Sequence, residues 1–300
     1  MSSLIGMLPS VLMMVAPIMI AALGGMFAER SGVTNIGLEG LMGFGAWAAA
    51  TTHVLLEGVV PGSVWIALVM ATLLGALVSL IHAYAAISLN ADQTVSGTGI
   101  NLLATGVTVF LCQIIFKQER TEPYHLGMMP GPGGIYPTAY IAIVLLVATW
   151  YVLYKRPIGL RIRACGEHPA AAASAGINVK KLRYLAVLVS GAFAGLAGGC
   201  IVLTETIQYT NMTINGAGFI ALAAVSFGRW TPKGVSGASL LFGTAVAMGI
   251  YMVNIESLRG LPPEFFSIMP YVITLVTLVI FSGKDYAPRA DGIPYEKGAS

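Results

Sequence analysis

Few residues of this chain could carry chemistry, and their spacing suits neither a metal site nor a disulfide framework. His53 and His82 have no metal-ligand partner at useful spacing. Cys112, Cys165 and Cys200 are scattered, which suits neither a disulfide framework nor a zinc site. No Gly-x4-Gly-Lys-Ser/Thr phosphate loop occurs. What stands out is polarity set inside apolar sequence, which is costly in a membrane and defaults to a functional hypothesis. Glu39 sits between Leu38 and Gly40, Asn101 follows Thr94, Ser96 and Thr98, and Asn211 and Asn215 lie beyond Glu205. The chemistry such groups could do is to line a path for a polar solute. Phe44, Trp47 and Phe219 could stack on a planar base or sugar face.

Each candidate also has a plainer reading. Glu39 could pair with Arg30, or accept backbone donors where a helix is broken. Asn101 and Ser96 could hydrogen-bond between helices, typically for about 1 kcal/mol or less. Asn211 and Asn215 could belong to a solvated loop. The three aromatic rings could pack in the core or face lipid. His53 and His82 read more simply as packed histidines.

The composition decides what must position these residues. Hydrophobic residues make up 56% of the 300 and charged residues only 10%, against about 25% in soluble domains. Mean hydropathy is +0.80. A soluble protein of this makeup would lack the polar surface to stay dispersed, so the chain is expected to be an integral membrane protein. A net charge of +3 is too small to suggest a nucleic-acid partner. The 36 glycines suit helices that approach one another closely in lipid.

Runs free of charge, each near the roughly 20 residues that cross a bilayer, predict an all-α, polytopic membrane helical bundle of about nine helices. The nine helices are expected near 8–28, 35–56, 64–87, 94–116, 137–154, 184–204, 213–228, 235–254 and 265–282. The second and seventh are short, Gly-rich or polar, so broken or re-entrant helices are expected there. The transmembrane domain is expected over 1–283, with a cytoplasmic tail at 284–300. Met1-Ser-Ser has no basic residue ahead of the first apolar run, so no removable signal is expected. Residues 155–183 hold Lys155, Arg156, Arg161, Arg163, Lys180, Lys181 and Arg183 against Glu167 alone. The positive-inside rule places that loop in the cytoplasm. Parity then puts Glu29-Arg30, the Arg229–Lys233 turn and the C-terminus inside, and 117–136 outside.

Two patterns concern packing. Gly24-Gly25, Asn35 and Glu39-Gly40 are echoed by Gly198-Gly199, Asn211 and Asn215-Gly216 on helices of opposite direction, as in an inverted repeat. Gly191, Gly195 and Gly198-Gly199 form a small-residue stripe for close helix contact. Trp65, Tyr84, Trp150 and Tyr151 read as interface anchors. Within the basic loop, Pro169, the alanines after it and Gly176 predict a short helix from Glu167 to Ala175. It would meet either a partner or anionic lipid heads.

The string G159-L-R-I-R-A-C-G-E-H-P-A-A-A-A-S-A-G-I-N-V resembles the coupling segment of ABC importer permeases of the branched-chain amino acid, ribose and nucleoside group. N35-I-G-L-E-G-L-M, Q93-T-V-S-G-T-G-I-N101, S190-G-A-F-A-G-L-A-G-G199 and S226-F-G-R-W-T-P-K-G resemble further segments of that group in order, across about residues 20–245. The likeness is greatest to the nucleoside-type branch. It implies an inner-membrane permease of a bacterium, importing a small hydrophilic solute: most readily a nucleoside, with a simple sugar or riboflavin as alternatives. Gly166, Glu167, His168, Pro169, Ala170, Ala171, Ala173 and Ser174 would couple to a cytoplasmic ATPase. Glu39, Phe44, Trp47, Ser96, Asn101, Asn215 and Phe219 would line the path. ATP and Mg would sit on the partner ATPase, with no cofactor on this chain. A second permease, an extracytoplasmic binding protein or lipoprotein, and membrane lipid would be the other partners. An ion-coupled secondary transporter is the reading from another class, with Glu39 its one embedded acid.

Overall fold

The computed structural model describes residues 2–253, 286–295 and the separate positions 268, 272, 273, 276 and 279, without the side chains of 2–7 and 253. The expected helix at 265–282 therefore lies almost wholly outside the described residues. Within them the chain is an all-helical bundle. The elements are α1 (Ser2–Arg30), α2 (Leu38–Leu56), α3 (Ser63–Ala83), α4 (Gln93–Phe116), α5 (Pro137–Lys155), α6 (Pro157–Glu167), α7 (Pro169–Ser174), α8 (Val179–Thr204), α9 (Ala217–Phe227) and α10 (Pro232–Val253). Six of them are long and apolar enough to cross a membrane: α1, α3 with its π-turn Tyr84–Ser88, α4, α5, α8 and α10. The count thus differs from the expected nine. α2 is diluted by glycine and polar residues, and α9 has only 11 residues.

The termini follow local chemistry. The Asp92 carboxylate accepts from the amide of Val95 at 2.9 Å and caps α4; the Asn178 side chain accepts from that of Lys181 at 3.0 Å and caps α8. Pro137, Pro157 and Pro169 open α5, α6 and α7, where a missing amide hydrogen costs nothing.

α1 and α8 form the centre and are mostly buried, whereas α3, α4 and α5 bury a third or less of their length. The glycine stripe explains the centre. A Cβ on Gly198 would strike the Met42 carbonyl of α2, and one on Gly195 the Ala71 carbonyl of α3. Gly45 and Gly75 meet α8 from the opposite side. Lipid supplies no hydrophobic drive between helices, so such close backbone contact is what holds them. Trp65, Tyr84, Trp150 and Tyr151 are all exposed. Lys155 lies over Trp150 at 5.5 Å and Arg156 over Tyr151 at 4.9 Å, a layer of rings and cations at the end of α5.

Two expectations need correction. The basic stretch is not one short helix between loose arms. α6 runs to Glu167, His168 is extended at φ −150° and ψ 80°, and α7 begins at Pro169. A residue before proline is driven out of the helical region, so the helix divides there. Glu167 and Ala175 lie outside α7, and Arg183 is a buried residue of α8 rather than a loop cation. The seventh helix does not start at 213 either. Asn215 and Gly216 are left-handed, at φ 46° and 86°, and α9 follows them.

Candidate functional site

Two interruptions of the bundle define the site. The first, residues 31–37, joins α1 to α2. It enters the bundle deeply, because the Asn35 side chain donates to the Ser190 hydroxyl at 2.9 Å. Ser190 is 11 residues into α8, about 16 Å from its start. The irregular backbone here takes its partners from neighbouring helices. The Thr34 amide donates to Gln93 Oε1 at 2.7 Å, the Thr34 carbonyl faces His82 Nε2 at 3.1 Å, and Asn101 Nδ2 donates to the Ile36 carbonyl at 3.1 Å. Non-helical backbone inside a membrane protein needs such partners.

The second interruption, 205–216, joins α8 to α9. At 1.5 Å per residue α9 is about 16 Å long, half of a hydrocarbon core. Loop 117–136 holds the segment at one end. Tyr209 and Thr121 exchange hydrogen bonds of 2.9 and 3.2 Å, and the Tyr209 hydroxyl donates to Thr108 Oγ1 at 2.8 Å. Tyr124 donates to the Thr206 carbonyl at 2.7 Å.

Glu39 joins the two. Its carboxylate accepts from the amides of Gly216 and Gly218, both at 2.7 Å. An acid in the first turn of α2 therefore caps the N-terminus of α9, where free amides and the helix dipole favour negative charge. Asn101 makes the matching contact on the other side, accepting from the Gly40 amide at 2.8 Å. Arg30 is engaged elsewhere: its Nε donates to the Trp230 carbonyl at 2.8 Å and its guanidinium lies 3.6 Å from Glu167. The accepted backbone donors of a broken helix are thus the arrangement found at Glu39.

The expected path residues divide into three groups. Glu39, Asn101 and Ser96 are partly buried within the junction network, Ser96 with its hydroxyl 3.0 Å from His82 Nδ1. Phe44 is buried and Trp47 packs partly buried against the core. Asn215 and Phe219 are exposed, Phe219 by 49%. Thr94, Thr98 and Thr105 line the uncovered side of α4, the least buried of the spanning helices.

The expected coupling residues also divide. Gly166 is buried where α6 meets the end of α1; a Cβ there would strike the Arg30 carbonyl. Glu167 and His168 are exposed, while Pro169 and Ala173 are partly so. Ala172 seats α7 on Cys165 and Val179, which leaves Ala170, Ala171 and Ser174 on its outer side. Beside α7 opens a groove of about 660 Å³ lined by Ala173, Asn178, Lys180, Lys181, Tyr184 and Tyr295.

Sequence reasoning missed the groups that bind this end together. Arg183 is 1% exposed and donates to the carbonyls of Ser31 at 3.1 Å and Ile293 at 3.0 Å. Trp230 donates through its indole nitrogen to Glu29. Thr34 Oγ1 donates to Asp291 at 3.0 Å. Burial pushes the Asp291 carboxyl up to about 6, against the opposing pull of Thr34, Gly292 and Arg183. A lone cation among seven in a basic stretch gave no signal that it would be buried.

A half-membrane helix, α9, capped by an acid of α2 inside a bundle of long apolar helices is an arrangement that membrane transporters use. The family model described as the permease component of the branched-chain amino acid transport system matches residues 7–278. The guanosine ABC transporter permease protein NupQ of Bacillus subtilis is 44% identical, over 97% of this chain and 96% of its own length. The nucleoside ABC transporter permease protein NupC of Lactococcus lactis is 37% identical, over 94% and 93%. The solved structure of PsaBC from Streptococcus pneumoniae in complex with Fab covers 90% of both chains, with a TM-score of 0.51 at 12% identity, a likeness of fold alone. The chain belongs to the branched-chain amino acid transport system permease family. It is a multi-pass permease subunit of an ABC importer.

Proposed function

We propose that this permease carries nucleosides into a bacterial cell, as one of two related membrane subunits driven by a separate ATPase that binds ATP and Mg. The observation that carries the reading is the meeting of both helix breaks at Glu39, beside the exposed Asn215 and Phe219. An amide and a ring four residues or so apart suit a planar, polar solute. The uncovered side of α4, with Thr94, Thr98 and Thr105 among exposed apolar residues, is the face offered to a second permease. The names of the guanosine and nucleoside relatives support the solute class. The basic end, with α6, α7 and the C-terminal tail, faces the cytoplasm. An extracytoplasmic binding protein delivers solute to the other end.

The outer side of α7 couples to the ATPase. Ala170, Ala171 and Ser174 present small side chains, and the adjoining groove carries Lys180 and Lys181. Overpacking a fitted contact typically costs about 1–3 kcal/mol. Ala171→Trp is therefore expected to reduce ATPase copurification about tenfold, with the permease still inserted. Uptake of labelled guanosine, competed by adenosine but not by ribose or riboflavin, checks the solute. Competition by ribose or riboflavin alone would overturn the nucleoside reading, and normal ATPase association in Ala171→Trp would overturn the coupling surface.

A further inference from the structure

The C-terminal tail is not a free appendage. Residues 286–295 cross the basic end of the bundle and touch the turn between α9 and α10, the end of α6, the first helix break, α8 and the core under α7. Tyr286 lies under the guanidinium of Arg229, 4.5 Å from ring centre to carbon, at the turn between α9 and α10. The Ala290 amide donates to the Gly166 carbonyl at 2.8 Å, at the end of α6. Asp291 accepts from Thr34 in the first helix break. The Ile293 carbonyl accepts from Arg183 of α8, whose Nε also reaches Ser31. Tyr295 packs on Cys165, Ala172 and Val179 beneath α7.

We infer that this tail is a positioning strap that ties the coupling segment to the 31–37 break, so that displacement of α6 and α7 is passed to α2 and Glu39. Three features support it. First, the ties to α6 and α8 use backbone atoms of the tail, which fixes its path whatever its side chains. Second, Asp291 bonds a residue three positions upstream of Gly37, the N-cap of α2. Third, the fit is close: a Cβ on Gly32 would lie 3.0 Å from the Ala290 carbonyl, and one on Gly292 3.3 Å from Thr34 Oγ1. Contacts this tight transmit displacement, because packed interfaces shift as units rather than deform continuously. Asp291 and Thr34 are thus positioning residues: they act on Glu39 through the break.

The inference rests on the coupling role proposed for α7, so the test separates the two. The permease is purified with its ATPase and sister subunit and reconstituted in vesicles with the binding protein outside. Three quantities are read: ATPase retained, ATP hydrolysed and guanosine transported. Asp291→Ala and Thr34→Val should each lower transport per ATP about tenfold with ATPase content unchanged, and the double variant should be no worse than either single one. Asp291→Asn, which keeps an acceptor for Thr34, should restore most of the ratio. A merely structural role would lower ATPase content or thermal stability and leave the ratio alone; that result overturns the strap, as does a normal ratio in Asp291→Ala. Failure of the unaltered chain to retain any ATPase would overturn the coupling reading itself.

Discussion

The two helix breaks solve the same problem by opposite means. In the first, 31–37, Ser31, Val33 and Asn35 are fully buried and backbone groups are met by His82 of α3, Gln93 and Asn101 of α4 and Arg183 of α8. In the second, 205–216, Asn211, Met212 and Asn215 are exposed, and the tip is closed by its own residues, the Thr210 amide donating to Thr213 Oγ1 at 2.8 Å. The first is anchored by the bundle; the second is pinned at Tyr209 and at Glu39 and open between them. Local stability follows burial and partner number, so opening is expected to start in the second break. The bundle thus offers one junction tied on every side, which moves only together with its neighbours, and one whose tip is open, on which alternating access could draw.

The largest effect is expected where the comparison rests on a single side chain. Glu39→Leu removes both acceptors of the Gly216 and Gly218 amides, each a charge-assisted bond of about 1.5–3 kcal/mol. Guanosine uptake should fall by about 100-fold or more with the complex still assembled. Unchanged uptake would mean that the second break holds itself and that the two are independent.

A smaller effect separates the breaks by stability. Asn35→Leu removes the bond to Ser190 and sets a branched side chain in a filled space, so a loss of about 2–3 kcal/mol is expected in denaturant unfolding. Asn211→Ala, on the exposed break, should stay within about 0.5 kcal/mol. Equal losses would erase the distinction between anchored and open.

The smallest effect tests the pin. Tyr209→Phe deletes the bond to Thr108 Oγ1 and should cost about 1 kcal/mol. It should also speed thiol labelling at Asn211→Cys while leaving Asn35→Cys protected. Labelling at 35 that rises in parallel would show the breaks opening as one unit.

Much of this molecule is legible along the chain. Charge-free runs mark the long helices because lipid tolerates few ions, and a run of about 20 residues is a local property. The glycine stripe on α8 is read from spacing alone, since residues three and four apart share a helix face. The strings of the coupling segment carry the family. Glu39 is visible as an acid in the wrong solvent, although the sequence left open what it bonds. Pro169 marks a helix start, and the same residue also ends the helix before it.

Other features only the folded chain decides. The partners of Glu39 are 177 and 179 residues away, a separation that no periodicity encodes. Arg183 looked like a lysine-like loop cation until α8 began four residues earlier and turned it onto Ser31 and Ile293. Asp291 looked like tail, because exposure is not written in a short polar stretch. Sequence by itself determined which long segments are apolar enough to cross a membrane, since each pays its own transfer free energy locally. Tertiary structure decided how the two breaks are satisfied, since an unpaired amide inside the bundle takes whichever acceptor the packing brings within hydrogen-bond reach.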